Sequence, residues 1–114
     1  MDFDYTLSRL AELLDRCDGE SAAWLRGVAD QRASDVDAFY AALNSKRMWG
    51  GAGSVANAAL ADNPGIGAHQ WETSIREFRS LMIDLAEHLK ARGAHYPDID
   101  FWLSAFTSWQ QSNM

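Results

Sequence analysis

Residues 68–92 read AHQWETSIREFRSLMIDLAEHLKAR, and within them Trp71, Ile75, Phe78, Met82, Leu85 and Leu89 recur at alternating steps of four and three. Apolar side chains at that spacing share one face of a 3.6-residue helix, while Glu72, Arg76, Glu77, Arg79 and Glu87 fall elsewhere around it. The pattern predicts a long helix over about 68–92, stopped by Gly93. At about 1.5 Å per residue it would be a rod of roughly 37 Å. A compact body of this length is roughly 34 Å across, so the rod must cross the whole domain and shorter helices must pack along its apolar side.

The flanking sequence supplies those helices. From about Asp4 to Cys17, the residues Leu7, Leu10, Leu14 and Cys17 fall at helical intervals beside Leu13, with Asp4 or Thr6 to cap the start and Gly19 to allow a left-handed stop. A second helix is expected over about 20–32, burying Trp24, Leu25 and Val28. Ser34 and Asp37 have the spacing of a capping pair for a third, with Asp35 adding charge at its positive end. Val36, Phe39, Tyr40 and Leu43 then line one face, and Lys46 and Arg47 lie at the negative end of the dipole.

Ser54 can cap a short helix through Val55, Ala56 and Leu60, and Asp62-Asn63-Pro64-Gly65 has the composition of a turn. Beyond Gly93, Pro97 suits the first position of a last helix carrying Ile99, Trp102, Leu103, Phe106 and Trp109, with Asp98 and Asp100 stabilising its N-terminus. Phe101 lies off that stripe and is expected to be buried between neighbours. No stretch alternates with the period of a strand. The expectation is an all-α, single-domain helical bundle over residues 1–114, with about five to six helices around the long central one.

The bulk numbers agree with one self-sufficient core. The chain has 114 residues, of which 47% are hydrophobic and 23% charged, with five Trp, five Phe and one cysteine. That length suits one domain, and the single Cys17 cannot form an internal disulfide. Cys17 reads as a small core residue. Met1 is followed by acidic and polar residues rather than a signal sequence, and no apolar run reaches the roughly 18–20 residues of a spanning helix. A cytoplasmic protein without membrane insertion is expected.

The net charge of −6 is unevenly spread, because residues 1–45 carry nine acids against four arginines. Phosphate binding calls for the opposite sign, which disfavours nucleic acid. A basic protein partner would be steered toward such a front.

Few residues suggest chemistry. His69, His88 and His95 lack metal-ligand spacing, and Cys17 sits beside Asp15 and Asp18, whose charge disfavours a thiolate. No catalytic residue, cofactor or metal is assigned. The least ordinary stretch is KRMWGGAGS, residues 46–54. Its glycines ahead of a short helix, with Lys46, Arg47, Gly50, Gly51, Gly53 and Ser54, can hold an anion on backbone N–H groups. Against this, no strand precedes them and no lysine follows as in a phosphate loop. The same glycines also let the chain turn tightly against Trp49.

The runs LLDRCDGESAAWLRGVADQR (13–32) and FYAALNSKRMWGGAGSVANAAL (39–60) resemble a family of small uncharacterised bacterial helical proteins with a GGMGS-type turn. The shared positions are Leu13, Leu14, Gly19, Trp24, Leu25, Gly50, Gly51, Gly53 and Ser54, with Ala52 in place of the family's Met. Small acidic helical proteins of this kind are often immunity proteins, which block the active cleft of a bacterial toxin. By that analogy the chain is a non-enzymatic binding module, monomeric or homodimeric, for a cognate protein toxin. Its contacts would be Asp30, Asp35, Asp37 and an exposed Trp49, an aromatic anchor among charges. The alternative is a small-ligand or anion-binding protein, possibly an enzyme, built on the glycine loop. A homodimer would bury Phe101 and Trp109.

Overall fold

Aspartates start the first three helices in a computed structural model that describes residues 2–16, 18–50, 54–58, 68–93 and 95–111. Helix α1 (Phe3–Leu14) is capped by Asp2, whose carboxylate accepts from Tyr5 N, in place of the expected Asp4 or Thr6. Helix α2 (Gly19–Ser34) is capped by Asp18, bonded to both the amide and the hydroxyl of Ser21. Gly19 therefore opens α2 instead of stopping α1.

Asp35 is shared: its amide closes α2 on the Gln31 carbonyl, and its carboxylate caps α3 (Val36–Leu43) at Ala38 N. It takes the role expected of Ser34, whose hydroxyl instead donates back to Gln31 O. An Asp at such a position contributes about 1 kcal/mol, because it satisfies an amide that the helix leaves without a partner.

Two single turns follow, α4 (Lys46–Trp49) and α5 (Val55–Ala58), the second capped by Ser54 Oγ accepting from Asn57 N. Helix α6 (Ala68–Arg92) has the bounds that its periodicity predicts, and Gly93, at φ 132°, ends it in a conformation that suits glycine. Helix α7 is Asp98–Gln111. The described residues contain helices and no strand, so the chain is an all-α bundle. Leu60, Cys17 and the turn expected at Asp62–Gly65 lie outside the described residues, as do the side chains of Trp71 and Trp109.

The ion pairs give the directions. Arg26 meets Asp15 and Arg32 meets Asp4, so α1 and α2 are antiparallel. Lys90 meets Asp100 and Gln110 reaches the Arg76 carbonyl, which makes α6 and α7 a second antiparallel pair. The two hairpins join where α1 lies against α6, with Arg9 forked onto both oxygens of Glu77 at 2.7 Å. The molecule is 39 Å along its longest axis, about the length of a 25-residue helix.

Leu10, Leu14, Leu25, Phe39, Leu43, Met82, Leu85, Ile99 and Phe106 are wholly buried in one core, to which Ile75, Phe78 and Leu89 also belong. Trp24 packs against it half-buried. Phe101, expected inside, is 65% exposed; it stands at the opposite side of α7 from Ile99, Trp102 and Phe106, and no further helix covers that side among the described residues. No described helix is long and apolar enough to cross a membrane.

Candidate functional site

The antiparallel arrangement gathers one kind of charge at one end of the bundle. Asp2 and Asp4 open α1, Asp30 is on the last turn but one of α2, and Asp35 and Asp37 open α3. Between them lies an aromatic cluster: Phe3 meets Phe39 edge-on at 5.1 Å, Tyr40 at 5.9 Å and the His88 ring of α6 at 4.9 Å. Through His88, the carboxylates of Asp84 and Glu87 on α6 join the same end. These acids are exposed. Asp4 has Arg32 at 3.5 Å, and the others form no ion pair among the described residues.

Two nearby cations are held on aromatic faces, Arg32 5.1 Å from the Phe3 centroid and Arg92 3.4 Å from that of Tyr40, while Arg26, which lines a cleft with Asp4 and Asp30, is paired to Asp15. The first two cover the cluster without neutralising the rim. Two apolar side chains stand out of this acidic surface, Tyr5 at 57% and Val36 at 50% exposure. Beside Tyr5 a cleft of about 520 Å³ runs between α1 and α6, with Asp2, Tyr5 and Thr6 on one wall and Asp84, Glu87 and His88 on the other. Charge around exposed aromatic and aliphatic anchors is the chemistry of a protein-docking surface.

Of the contacts expected from sequence, Asp30, Asp35 and Asp37 do come together at this end. Trp49 does not, and the expectation of an exposed anchor there is corrected. It is wholly buried; its indole N–H donates to the Leu43 carbonyl at 2.7 Å, and its own carbonyl accepts from Trp102 Nε1 at 2.7 Å. The tryptophan is a pin between α3, α4 and α7. Asp2, Asp4, Tyr5, Asp84 and Glu87 were missing from the expected contacts. The uneven charge already marked Asp2 and Asp4, whereas Asp84 and Glu87 join only through the packing of α6 on α1.

The glycine loop is described in part, since Gly51 and Gly53 lie outside the described residues. Lys46 and Arg47 are exposed, and Arg47 rests on the Trp24 ring at 5.2 Å. Ser54 is buried with its hydroxyl already occupied by the Asn57 amide. At Gly50, a Cβ would come within 2.6 Å of the Lys46 carbonyl oxygen, so the closeness of the α4 turn accounts for this glycine without a ligand.

Among the perturbed titratable groups, Arg26 lines a cleft with Asp4 and Asp30 of the acidic end. The Arg9 guanidinium, hydrogen-bonded to Glu77 and Glu12, is held more basic than usual, and Arg9 in turn holds Glu77 below the ordinary carboxylate range. Arg26 does the same to Asp15. His95 is raised, first by its hydrogen bond to Asp100 and then by the Gly93 carbonyl. Each belongs to an ion pair or hydrogen bond that ties helices or a helix end. The described residues include no group of three or more His, Cys, Asp or Glu that could hold a metal. No protein family matches the chain, and no match is found among curated proteins or solved structures.

Proposed function

We propose that the protein is a binding module that docks a basic protein surface against its acidic end, and that it serves as an immunity protein, covering the active surface of a cognate bacterial toxin in the cytoplasm. The observation that carries the reading is the meeting of carboxylates from α1, α2, α3 and α6 around the exposed Tyr5 and Val36, with Arg32 as the one cation paired to them among the described residues. Carboxylates gathered at one end with a single ion pair among them repel one another in the free protein, and a basic surface relieves that repulsion as it binds. Tyr5 and Val36 supply apolar area to bury at the centre of the contact.

The immunity assignment draws further support from the resemblance of residues 13–32 and 39–60 to small bacterial helical proteins with a GGMGS-type turn. Among the described residues of the glycine loop nothing favours the anion-binding alternative, because Ser54 and Gly50 each have a packing reason.

Calorimetry with purified candidate toxins encoded next to this gene tests the reading. Asp30→Asn, Asp35→Asn and Asp37→Asn combined should weaken association at least about tenfold, with most of the loss in the association rate. Asn serves as well as Asp at a helix start, so the cap at residue 35 survives the change. Absence of association with the wild-type protein, or a triple variant that binds undiminished, overturns the proposal.

A further inference from the structure

Thr6 sets the α1–α6 cleft apart from the acidic surface around it. The residue is 5% exposed and lines the cleft, and its hydroxyl has no hydrogen-bond partner among the described residues. The hydroxyl opens on the cleft and is not sealed from solvent, so a ligand that donates a hydrogen bond to it takes the place of a water. Beside Leu81 and the His88 ring, the facing groups are carboxylate acceptors and an aromatic face for a cation. Asp84 and Glu87 stand one turn apart on α6, the second oxygen of Asp2 is left free by the capping bond, and the Tyr5 ring is at the rim. No lysine or arginine lines the cleft among the described residues.

We propose that this cleft seats an arginine side chain of a basic protein partner, its guanidinium between the Asp84 and Glu87 carboxylates with one N–H donated to Thr6 Oγ1 and the Tyr5 ring against its face. The inference rests on the acidic end being a docking face, and it names the group that enters first and deepest. Arginine fits better than lysine for a geometric reason. Its planar fork carries five donors in fixed directions, which matches acceptors on two walls, and its flat face stacks on an aromatic ring. A lysine ammonium is a compact, strongly hydrated charge that would satisfy one wall and lose more water.

The test is an NMR titration of the ¹⁵N-labelled protein at low ionic strength with a short Ser/Gly peptide carrying arginines, and with its lysine counterpart. Amides of Tyr5, Thr6 and residues 84–88 should shift, and the arginine peptide should bind more tightly. Thr6→Val, and separately Asp84→Asn with Glu87→Gln, should each weaken it about tenfold, the scale of a lost hydrogen bond to a charged group. The two carboxylates are exposed, so their removal leaves the fold intact even should Thr6→Val disturb packing.

If the peptide binds these variants undiminished but is lost from Asp30→Asn, Asp35→Asn and Asp37→Asn combined, the cleft assignment falls and the docking face stands. Equal affinity for the arginine and lysine peptides overturns the choice of guanidinium. No binding of either peptide to the wild-type protein overturns the cleft and the acidic docking face together.

Discussion

At the scale of single residues, Trp49 shows where local sequence misleads. Beside three glycines it sits where periodicity breaks, and an aromatic at a turn reads as exposed. Its surroundings come from elsewhere: the Leu43 carbonyl lies free because α3 ends there, and Trp102 arrives from α7, 53 residues along the chain. No local pattern contains that meeting. Trp49→Ala should cost about 3–5 kcal/mol, as large-to-small changes at buried aromatics do. Trp49→Phe keeps most of the apolar bulk and strands the Leu43 carbonyl, for about 1–3 kcal/mol. Urea denaturation measures both. Equal stability of Trp49→Phe and wild type would mean that the indole hydrogen bond contributes nothing.

At the scale of elements, legibility followed the strength of the repeat. Helix α6 emerges with the bounds that its spacing predicts, because an unbroken four-three alternation and a terminal glycine point to the same ends. The α2–α3 corner was legible in place but not in detail. Ser34, Asp35 and Asp37 are all good capping types, and which one caps is decided by the backbone, which puts Asp35 at the break.

The α6–α7 corner carries a pH dependence. Asp100 bonds Lys90 at 2.7 Å and His95 at 3.1 Å, and His95 also meets the Gly93 carbonyl that follows the helix end. The folded state raises the His95 pKa above its ordinary 6.5. The protonated form is therefore the one that folding favours. Its contribution is complete below the ordinary value and is lost as pH rises through the raised one. Asp100 is shifted the other way, by Lys90 first and His95 second, so its contribution is present above the ordinary 3.8 and fades as pH falls through the lowered value. The urea midpoint should fall as pH rises from mildly acidic to mildly alkaline, and His95→Gln should flatten that slope. A slope unchanged in His95→Gln would assign the dependence to other groups.

At the scale of the whole molecule, the excess of acid in residues 1–45 was plain from counting, and its place in space was not. The acids of α1, α2 and α3 lie within one short stretch of chain, whereas Asp84 and Glu87 reach the same end because α1 and α6 run antiparallel, fastened by Arg9 and Glu77. Asp84 and Glu87 look in the sequence like ordinary solvated positions on a polar helix face. A sign-biased surface with few internal partners also sets stability against binding. Each carboxylate raises the attraction to a basic partner and adds repulsion to the free protein. Asp30→Asn with Asp37→Asn touches no cap and no ion pair among the described residues. The free protein should then be as stable as wild type or slightly more so, within the about 0.5 kcal/mol usual for surface changes, while association with the basic partner slows. Salt should act in the same two directions on the wild type, because exposed charges are screened over about 8–10 Å near physiological ionic strength. Thermal melts and stopped-flow association across a salt series read both quantities. If the double variant melts well below wild type, these aspartates hold the fold together and are not a surface kept charged for a partner.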